Sequence, residues 1–336
     1  MPIKNIKYPK TNYIGNKEKL ADWIVEELPI KSGKVLDLFS GGNSVSFALK
    51  RNDFEVHSND ALYASFVLSK AIVENKTVTL PKETIDEALA YNLTTVERAE
   101  FSWLDERFYF KEEVDELARL VKFSDLLSGY KKYLFQSLIR RSMIRKMPYS
   151  RLNIPWNNIV KLRNEDYSYE KYGRRRAYHN QPFSFHMKEN CDSYNEAIFD
   201  NGCDNKSYQM DVFELLDEIE LIDVVYIDPP YPGTMNKYND FYGSFDRLFT
   251  KSIPHLNLTD KKQFLNNLEE IIKKLINKTS YIVLSMNSRS NPSICEMSDL
   301  MEKYGIVEIK EKKHNYQISG KDAKNKNYEA LLILTL

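Results

Sequence analysis

Short apolar runs alternate with amphipathic segments over the first 75 residues. The apolar runs have the length of buried strands, whereas the amphipathic segments repeat apolar residues at helical spacing. The predicted strands are residues 34–39 and 55–58, and the predicted helices are residues 17–28, 45–50 and 61–75. This alternation predicts a parallel sheet with helices on its faces.

The same alternation returns in the last third of the chain. It predicts strands at 223–227, 281–285, 307–310 and 331–336, and a helix at 259–276. Between the two halves, residues 82–145 predict mainly helices, and residues 146–205 show little periodicity. We therefore predict an α/β domain formed by residues 1–75 and 206–336, interrupted by an inserted, mostly helical domain of residues 76–205.

Composition adds a contrast in charge. The 336 residues have a net charge of zero and are 42% hydrophobic, as in a globular protein. Residues 131–188 hold fourteen Lys and Arg against three acids, a balance of +11, whereas residues 189–228 hold twelve acids against one Lys, a balance of −11. The basic block suggests a surface for a polyanion, and the alternative is a solvated charged face.

Other classes of protein are disfavoured. No apolar run is long enough to cross a bilayer, and the amino-terminal residues lack the hydrophobic core of an export signal. We therefore expect a cytoplasmic protein that does not associate with a membrane. Cys191, Cys203 and Cys295 are widely spaced, and the five histidines form no ligand-spaced cluster. Neither a disulfide framework nor a metal site is predicted.

A glycine turn follows the first predicted strand, in the sequence DLFSGGNSV at 37–45. Glycine lets the backbone approach a ligand closely, and the start of the next helix offers free N–H groups. A nucleotide-like ligand fits such a turn, and a purely structural turn is the alternative. The turn lacks the pattern G-x-G-x-x-G, which disfavours a nicotinamide cofactor.

Asp60 follows the second predicted strand. A carboxylate in this position can accept hydrogen bonds from both hydroxyls of a ribose. The alternative is an N-cap for the helix that begins at Ala61. Next to a glycine turn, the ribose contact is the better interpretation.

The third motif, Asp228-Pro229-Pro230-Tyr231, follows the predicted strand at 223–227. Two prolines end the strand and hold the following backbone extended. The Asp carboxylate and a Pro carbonyl can accept the two N–H bonds of an exocyclic amino group, while the Tyr ring stacks on the base. The acceptors direct the nitrogen lone pair toward an electrophilic methyl group, so positioning and electrostatics would carry the catalysis.

Together, these motifs resemble the Dam-type, alpha-group DNA N6-adenine methyltransferases. The sequence TNYIGNK at 11–17 resembles the amino-terminal cofactor motif of that family, and the glycine turn, Asn59-Asp60 and DPPY follow in the family's order. The resemblance implies a Rossmann-like methyltransferase core, S-adenosylmethionine as cofactor and a target-recognition insertion before DPPY. It implies catalytic roles for Asp228, Pro229, Pro230 and Tyr231, and cofactor contacts by Tyr13, Gly15, Lys17, Asp37, Phe39, Gly41, Asn43, Asp60, Asp211 and Asp228.

Three of these positions carry alternatives or a departure. Tyr13 and Lys17 also suit a loop that leads into a helix, and Asp211 also suits a helix cap before Phe213. The family's turn has a second glycine where this chain has Asn43. Asn tolerates unusual backbone angles better than most residues, so the turn can be kept.

The inserted region carries the predicted DNA surface. Arginine neutralises phosphates and reads base edges, and polar aromatics can fill the space left by a displaced base. The predicted DNA-binding residues are Arg140, Arg141, Arg145, Arg151, Arg174, Arg175 and Arg176, interleaved with Tyr149, Trp156, Tyr167, Tyr169, Tyr172 and Tyr178. Residues 232–258, with Asn236, Tyr238, Asn239, Phe241 and Tyr242, either close over the target base or form an ordinary loop.

The resulting prediction is a site-specific adenine methyltransferase that acts on a flipped adenine in double-stranded DNA. It would be the modification enzyme of a restriction–modification system, whose cognate endonuclease acts on the same site without stable association; nothing in the sequence shows that partner. The rivals are methylation of cytosine N4 or of RNA adenine, and a catalytically silent DNA-binding module. Asp at position 228, rather than Ser or Asn, favours adenine in DNA by family resemblance.

Overall fold

The computed structural model describes residues 3–232, 238–260, 262–314 and 327–336. The chain divides into two compact units. The sheet unit comprises Gly15–Ala61, Asn201–Lys237 and Ile253–Leu336, and the helical unit comprises Met1–Ile14, Leu62–Asp200 and Tyr238–Ser252. The compact units divide after residues 61 and 200, and the helical unit also includes Met1–Ile14 and Tyr238–Ser252. The functional domain boundaries predicted at residues 75 and 205 stay a prediction.

Seven strands form one sheet. They are β1 (Lys34–Asp37), β2 (Glu55–Asn59), β3 (Lys206–Tyr208), β4 (Ile222–Ile227), β5 (Thr279–Asn287), β6 (Ile306–Lys313) and β7 (Tyr328–Thr335). Their order in the sheet is β3-β2-β1-β4-β5-β7-β6. The five strands from β3 to β5 are parallel, and β7 runs antiparallel to both of its neighbours.

Fourteen α-helices lie among the described residues. They are α1 (Ala21–Glu26), α2 (Ser44–Arg51), α3 (Tyr63–Ser69), α4 (Glu83–Leu89), α5 (Thr95–Ala99), α6 (Lys111–Ser124), α7 (Gly129–Lys146), α8 (Trp156–Arg163), α9 (Glu165–Tyr172), α10 (Phe183–Asn195), α11 (Val212–Glu218), α12 (Tyr238–Leu248), α13 (Phe264–Leu275) and α14 (Ile294–Met301). A π-helical turn, Lys70–Glu74, continues α3. None of the helices in these described ranges is long and apolar enough to cross a membrane.

The sheet unit has the Rossmann-like α/β architecture that the sequence predicts. β1 and β4 lie at its centre and are almost fully buried, which explains why both read as continuous apolar runs. One face of the sheet packs against α11, α13 and α14 through Leu215, Ile271 and Met297. The carboxyl ends of β1, β2 and β4 meet at one edge of the sheet, because these strands are parallel neighbours. Ligands of open α/β sheets bind at this edge.

The helical unit contains more regular structure than the sequence indicates. Residues 82–145 are largely helical, as predicted, but residues 146–205 also form three helices, α8 to α10. Their apolar periodicity is weak because part of the buried surface is charged. Glu113 of α6 forms ion pairs with Lys146 of α7 and Arg163 of α8, at 2.8 Å and 2.5 Å, and both cationic side chains are buried. A buried network of this kind joins three helices without the apolar stripe that sequence reading detects.

Candidate functional site

The glycine turn connects β1 to α2 in the sheet unit. Gly41 has a φ of +46° and Asn43 a φ of +62°, both in the left-handed region. The Asn43 side chain donates to the Gly41 carbonyl at 3.2 Å, which closes the turn and shows how Asn serves where the family has glycine. The Gly41 N–H donates to Asp60 Oδ2 at 2.8 Å. The turn and the end of β2 are therefore directly connected.

The helix-cap interpretation of Asp60 is wrong. α3 begins at Tyr63, its N-cap is Leu62, and the first N–H groups of the helix donate to the carboxylate of Asp246 instead. Asp60 uses one carboxylate oxygen to hold the Gly41 N–H. The sequence could not separate these alternatives, because Asp246 is nearly 200 residues further along the chain.

Asp37 ends β1 beneath the turn and is 1% exposed. Its Oδ2 accepts a hydrogen bond from Ser46 Oγ at 2.5 Å, whereas its Oδ1 is buried and has no hydrogen bond within the described residues. Burial, together with the carboxylates of Asp228 and Asp60, raises the pKa of Asp37 to about 7, although the Ser46 bond acts in the opposite direction. Buried polar atoms rarely stay unpaired, so Oδ1 indicates a missing donor at this position.

Two further residues brace the same edge of the sheet. Asn59 donates to the carbonyls of Leu38 and Met210 and accepts from the Met210 N–H, so it ties β1 to the loop after β3. Asp211 caps α11 through the Phe213 N–H at 2.8 Å and accepts from the Leu256 N–H at 2.6 Å. The cap expected for Asp211 is therefore present, and its cofactor contact stays a prediction.

The DPPY motif follows β4 at the neighbouring position along the edge. The Asp228 side chain is 19% exposed, and Pro229 and Tyr231 are buried. The Tyr231 hydroxyl donates to the Ser285 carbonyl of β5 and lies 3.2 Å from Asp228 Oδ1. In this arrangement the Tyr231 ring belongs to the core of the sheet unit, and its hydroxyl supports the Asp228 carboxylate.

Lys17 lies at the centre of a buried ion cluster. Its Nζ is 3.2 Å from Asp228 Oδ1 and 2.8 Å from Glu329 Oε1 of β7. Glu329 is fully buried and also accepts from Ser285 Oγ at 2.8 Å. The cluster connects the amino-terminal motif, DPPY, β5 and β7. Lys17 is therefore more than part of a loop that leads into a helix.

Glu329 is the site residue that sequence reasoning missed. Its signal was an acid inside the apolar closing strand YEALLILTL, a position at which a charge needs a partner. Burial and Glu329 raise the pKa of Asp228 to about 6, while Lys17 and the Tyr231 hydroxyl lower it. Asp228 is consequently a more basic carboxylate than an ordinary aspartate.

The remaining predicted cofactor residues divide between the units. Phe39 packs against the core of the sheet unit, and Gly15 adopts a φ of +81° that favours glycine. Tyr13 belongs to the helical unit, where its ring stacks on Tyr242 of α12 with a centroid distance of 4.5 Å and an angle of 8°. The Tyr242 hydroxyl accepts from the Ile14 N–H at 2.8 Å, which anchors this segment to α12.

Part of the segment after DPPY forms a helix. α12 spans Tyr238–Leu248, and Tyr242 within it is 1% exposed. Asn236 lies outside the described residues. The side chains of Tyr238, Asn239 and Phe241 are likewise outside what the structure describes. Whether this segment covers a target base stays a prediction.

The seven predicted DNA-binding arginines have different surroundings. Arg140 and Arg141 of α7 are 1% and 4% exposed; Arg140 donates to the Thr11 carbonyl, and its guanidinium lies over the Tyr13 and Tyr242 rings at 5.6 Å and 5.3 Å. Burial argues against a direct phosphate contact by either residue. Arg145, Arg151 and Arg176 are half-buried, and Arg174 and Arg175 are exposed.

Arginine and tyrosine form a layered patch on the surface of the helical unit. The Arg176 guanidinium lies over Tyr172 at 4.6 Å and over Tyr149 at 5.8 Å, and Arg175 lies over Tyr169 at 5.6 Å. The three tyrosines are among the few exposed large hydrophobic residues. Stacked guanidinium groups keep their N–H edges available, so this patch can contact an anion without losing its packing.

A sheet of this strand order, with a glycine turn after β1 and a D-P-P-Y after β4, defines an α/β methyltransferase. The comparisons with known proteins agree. The model of the D12 class N6 adenine-specific DNA methyltransferase family matches residues 13–315, and the chain belongs to this family.

Curated relatives are similar over almost the whole chain. The type II methyltransferase M2.HphI of Haemophilus parahaemolyticus is 43% identical over 99% of each chain. The type II methyltransferase M.NlaIII of Neisseria lactamica is 22% identical over 95% of this chain and 96% of its own length. The modification methylase StsI of Streptococcus sanguinis is 27% identical over 95% of this chain, which spans 51% of that longer protein.

Proposed function

We propose that this adenine-specific DNA methyltransferase transfers the methyl group of S-adenosylmethionine to N6 of an adenine that is flipped out of duplex DNA. The observation that carries the proposal is the Asp228 carboxylate, held at the end of β4 by Lys17 and Tyr231 at the ligand-binding edge of the sheet. The base must leave the stack, because its amino group is otherwise paired.

The edge of the sheet suits the cofactor. Asp37 Oδ1 and Ser40 Oγ are buried atoms without hydrogen bonds within the described residues, and a polar ligand there would supply their partners. Gly41 and Asn43 would bring the backbone to the cofactor, Asp60 would accept from the ribose hydroxyls, and Asp211, Phe39, Gly15 and Lys17 would line the rest of the site. The cofactor contact of Tyr13 rests on the family resemblance alone.

The bound cofactor supplies an electrophilic methyl group. The residues of the chain position the nucleophile: Asp228 and the Pro229 carbonyl accept the two N–H bonds of the adenine amino group, which turns the nitrogen lone pair toward the methyl. Lys17 keeps Asp228 ionised against the effect of burial, and Tyr231 fixes the direction of the carboxylate. After transfer, the amino nitrogen loses one proton, and Asp228 is the adjacent base.

The exposed and half-buried arginines of the helical unit would hold the DNA. We assign phosphate contacts to Arg175 and Arg176, because their guanidinium groups belong to the surface patch with the tyrosines, and to Arg174, because it is exposed and adjacent to them in sequence. Arg145 and Arg151 extend this charge. Arg140 and Arg141 would act indirectly, by holding the amino-terminal segment and α10, since Arg141 donates to Asn190 at 3.1 Å.

The biological role follows from the relatives. Two of them are type II methyltransferases and one is a modification methylase, which supports a modification enzyme of a restriction–modification system. We accordingly infer a cognate endonuclease that acts on the same site without stable association. Because the substrate is DNA, we place the enzyme in the cytoplasm.

One assay tests the reaction and its rivals. The protein is incubated with labelled S-adenosylmethionine and, in parallel reactions, with duplex DNA or with RNA, and each nucleic acid is then digested to nucleosides. We expect the label in N6-methyl-2′-deoxyadenosine from the DNA reaction. Label in N4-methylcytosine, label in RNA alone, or no transfer at all would each replace the proposal with one of the rival functions.

A further inference from the structure

A groove that contains none of the seven predicted DNA-binding arginines combines flat rings with hydrogen-bonding groups. It lies within the helical unit, encloses about 700 Å³, and is bordered by the segment around Trp103, the residues 152–156 and one side of α12. Its chemistry comes from Trp103, Glu106, Arg107, Asn153, Trp156 and Arg247. None of these residues belongs to the motifs of the catalytic edge.

The rings of the groove are fixed by packing. Trp103 meets the buried Phe108 edge to face at 6.3 Å, and Trp156 meets Phe110 in the same manner at 5.1 Å. The Arg247 guanidinium lies over the Trp103 ring, 4.1 Å from its centroid. A stacked guanidinium is restricted in rotation, so its N–H edge is presented in a defined direction.

The polar groups of the groove match base edges better than phosphates. Arg107 and Arg247 donate, Asn153 both donates and accepts, and all three are exposed. Glu106 is exposed as well, and its carboxylate would repel a phosphate. Base edges present donors as well as acceptors: arginine pairs with guanine O6 and N7, asparagine with adenine, and a carboxylate with cytosine N4.

Glu106 also has an unusual backbone. Its φ of +50° lies in the left-handed region, and its N–H donates to the Tyr109 carbonyl at 2.9 Å. Non-glycine residues adopt this conformation at a cost, and such positions concentrate where a side chain is held for binding.

From these observations we infer that the groove of the helical unit determines sequence specificity by reading base edges of the recognition sequence, with Arg247 as its principal contact. The inference rests on duplex DNA as substrate. Its partner is the same DNA that the arginine–tyrosine patch holds by its phosphates, but the contribution differs, because base contacts discriminate between sequences and phosphate contacts do not.

The test begins with the parent enzyme. Sequencing the methylated bases in DNA from cells that express the gene gives the recognition site. Duplexes are then made with that site and with each single base-pair change. Failure of the parent to methylate any site would contradict the proposed function itself, and it would be seen before any groove variant is made.

Two variants of Arg247 separate base reading from simple charge. R247A should lower kcat/KM on the recognition duplex by about 5- to 150-fold, the range of one bidentate base contact. On the duplexes with a single base-pair change, R247A should lower kcat/KM by the same factor at every position except one. At that position, the base pair that Arg247 reads, the factor should be smaller. R247K keeps the charge but not the planar pair of donors, and it should behave as R247A does.

Other results overturn the inference. The groove contacts only phosphate if R247K has the activity of the parent. The same conclusion follows if R247A binds all duplexes more weakly by the same factor and the slope of log affinity against log salt becomes about 0.9 less steep. Unchanged kcat/KM in R247A means that the groove contacts no DNA. K273A of α13, which removes the same charge from an ammonium that bonds Glu270, is the matched control and should match the parent. Equal circular dichroism and cofactor affinity in all variants confirm that the fold is intact.

Discussion

The two units use charge in opposite ways. In the sheet unit, Asp37, Asp228 and Glu329 are acids gathered at or beside the ends of strands, and Lys17 is the one cation that this cluster holds among the described residues. In the helical unit, arginines outnumber their acidic partners, and several lie over aromatic rings instead. The acids of the sheet unit shift one another's pKa values, as is common at catalytic sites. The arginines of the helical unit lie over aromatic rings, which leaves their charge available to a polyanion.

A charged residue in the sequence predicts its structural surroundings better in the sheet unit than in the helical unit. An acid at the end of a parallel strand is placed by the sheet, so its neighbours can be inferred from motif order. An arginine in a helix can face either way, and sequence does not tell whether it is buried. Arg140 and Arg174 read alike in the sequence, yet one is 1% exposed and the other is at the surface.

The largest effect should come from the acid of DPPY. Asp228→Ala removes the acceptor of the amino group and should lower methyl transfer about 100- to 1,000-fold, as the loss of a positioned electrostatic group does. The fold should remain, because Lys17 keeps Glu329 as partner. Transfer of labelled methyl and circular dichroism are measured together. Activity near that of the parent would show that the chemistry lies elsewhere.

Loss of the ribose acid should have the next largest effect. Asp60→Ala removes a charge-assisted hydrogen bond worth about 1.5–3 kcal/mol, so the affinity for S-adenosylmethionine should fall about 10- to 150-fold while DNA binding changes little. Calorimetric titration measures the affinity. Asp60→Asn, which keeps an acceptor for the Gly41 N–H, separates damage to the turn from loss of the ribose contact. An unchanged affinity in Asp60→Ala would leave only the turn-holding role.

The exposed arginines should act through salt dependence. Replacing Arg174, Arg175 and Arg176 with alanine should flatten the dependence of log affinity on log salt by up to about 0.9 per lost phosphate contact, equally for cognate and scrambled duplexes. Arg140→Ala is the contrasting variant: it should leave the slope unchanged and lower the melting temperature, because Arg140 is buried. A triple mutant with the slope of the parent would make the patch a solvated face. Loss confined to the cognate site would instead indicate base reading.

The smallest effect concerns the acid limb of the pH profile. Asp228 must be ionised to accept the amine, and its pKa is raised to about 6, so activity should fall as pH drops through this value. Glu329→Gln removes a charge that raises this pKa and should move the limb to lower pH, whereas Lys17→Met should move it to higher pH, each by about one unit. Rate profiles at saturating cofactor measure both shifts. Shifts in the same direction would contradict the proposed electrostatics.

Much of the sheet unit could be predicted from the sequence. β1, β2, β4, β5, β6 and β7 all appear where strands are predicted. The signal is clearest for the central strands, because a strand buried on both faces has few polar positions. β3 was missed: it has three residues, Lys206–Tyr208, too short for any periodicity. The partners of a buried charge were missed too, since Glu329 reaches Lys17 across more than 300 positions of the chain.

The helical unit was predicted less well. Residues 146–205 appeared irregular, because their helices bury Lys146 and Arg163 beside Glu113 and so lack an apolar stripe. The groove around Trp103 and Arg247 joins residues about 140 positions apart, which only the fold reveals. Distant polar contacts thus account for what the sequence did not show in either unit.

The two edge strands, β3 and β6, explain why this open sheet resists pairing with a strand of another molecule. At one end, β3 offers only three residues to a new strand. At the other end, β6 has the sequence IVEIKEKK, with five charged residues, and an ion pair between Lys310 and Glu308. Short and charged edge strands resist edge-to-edge pairing. Unpaired backbone groups at both borders are therefore shielded from aggregation, and a partner protein would have to bind this unit by side chains rather than by adding a strand.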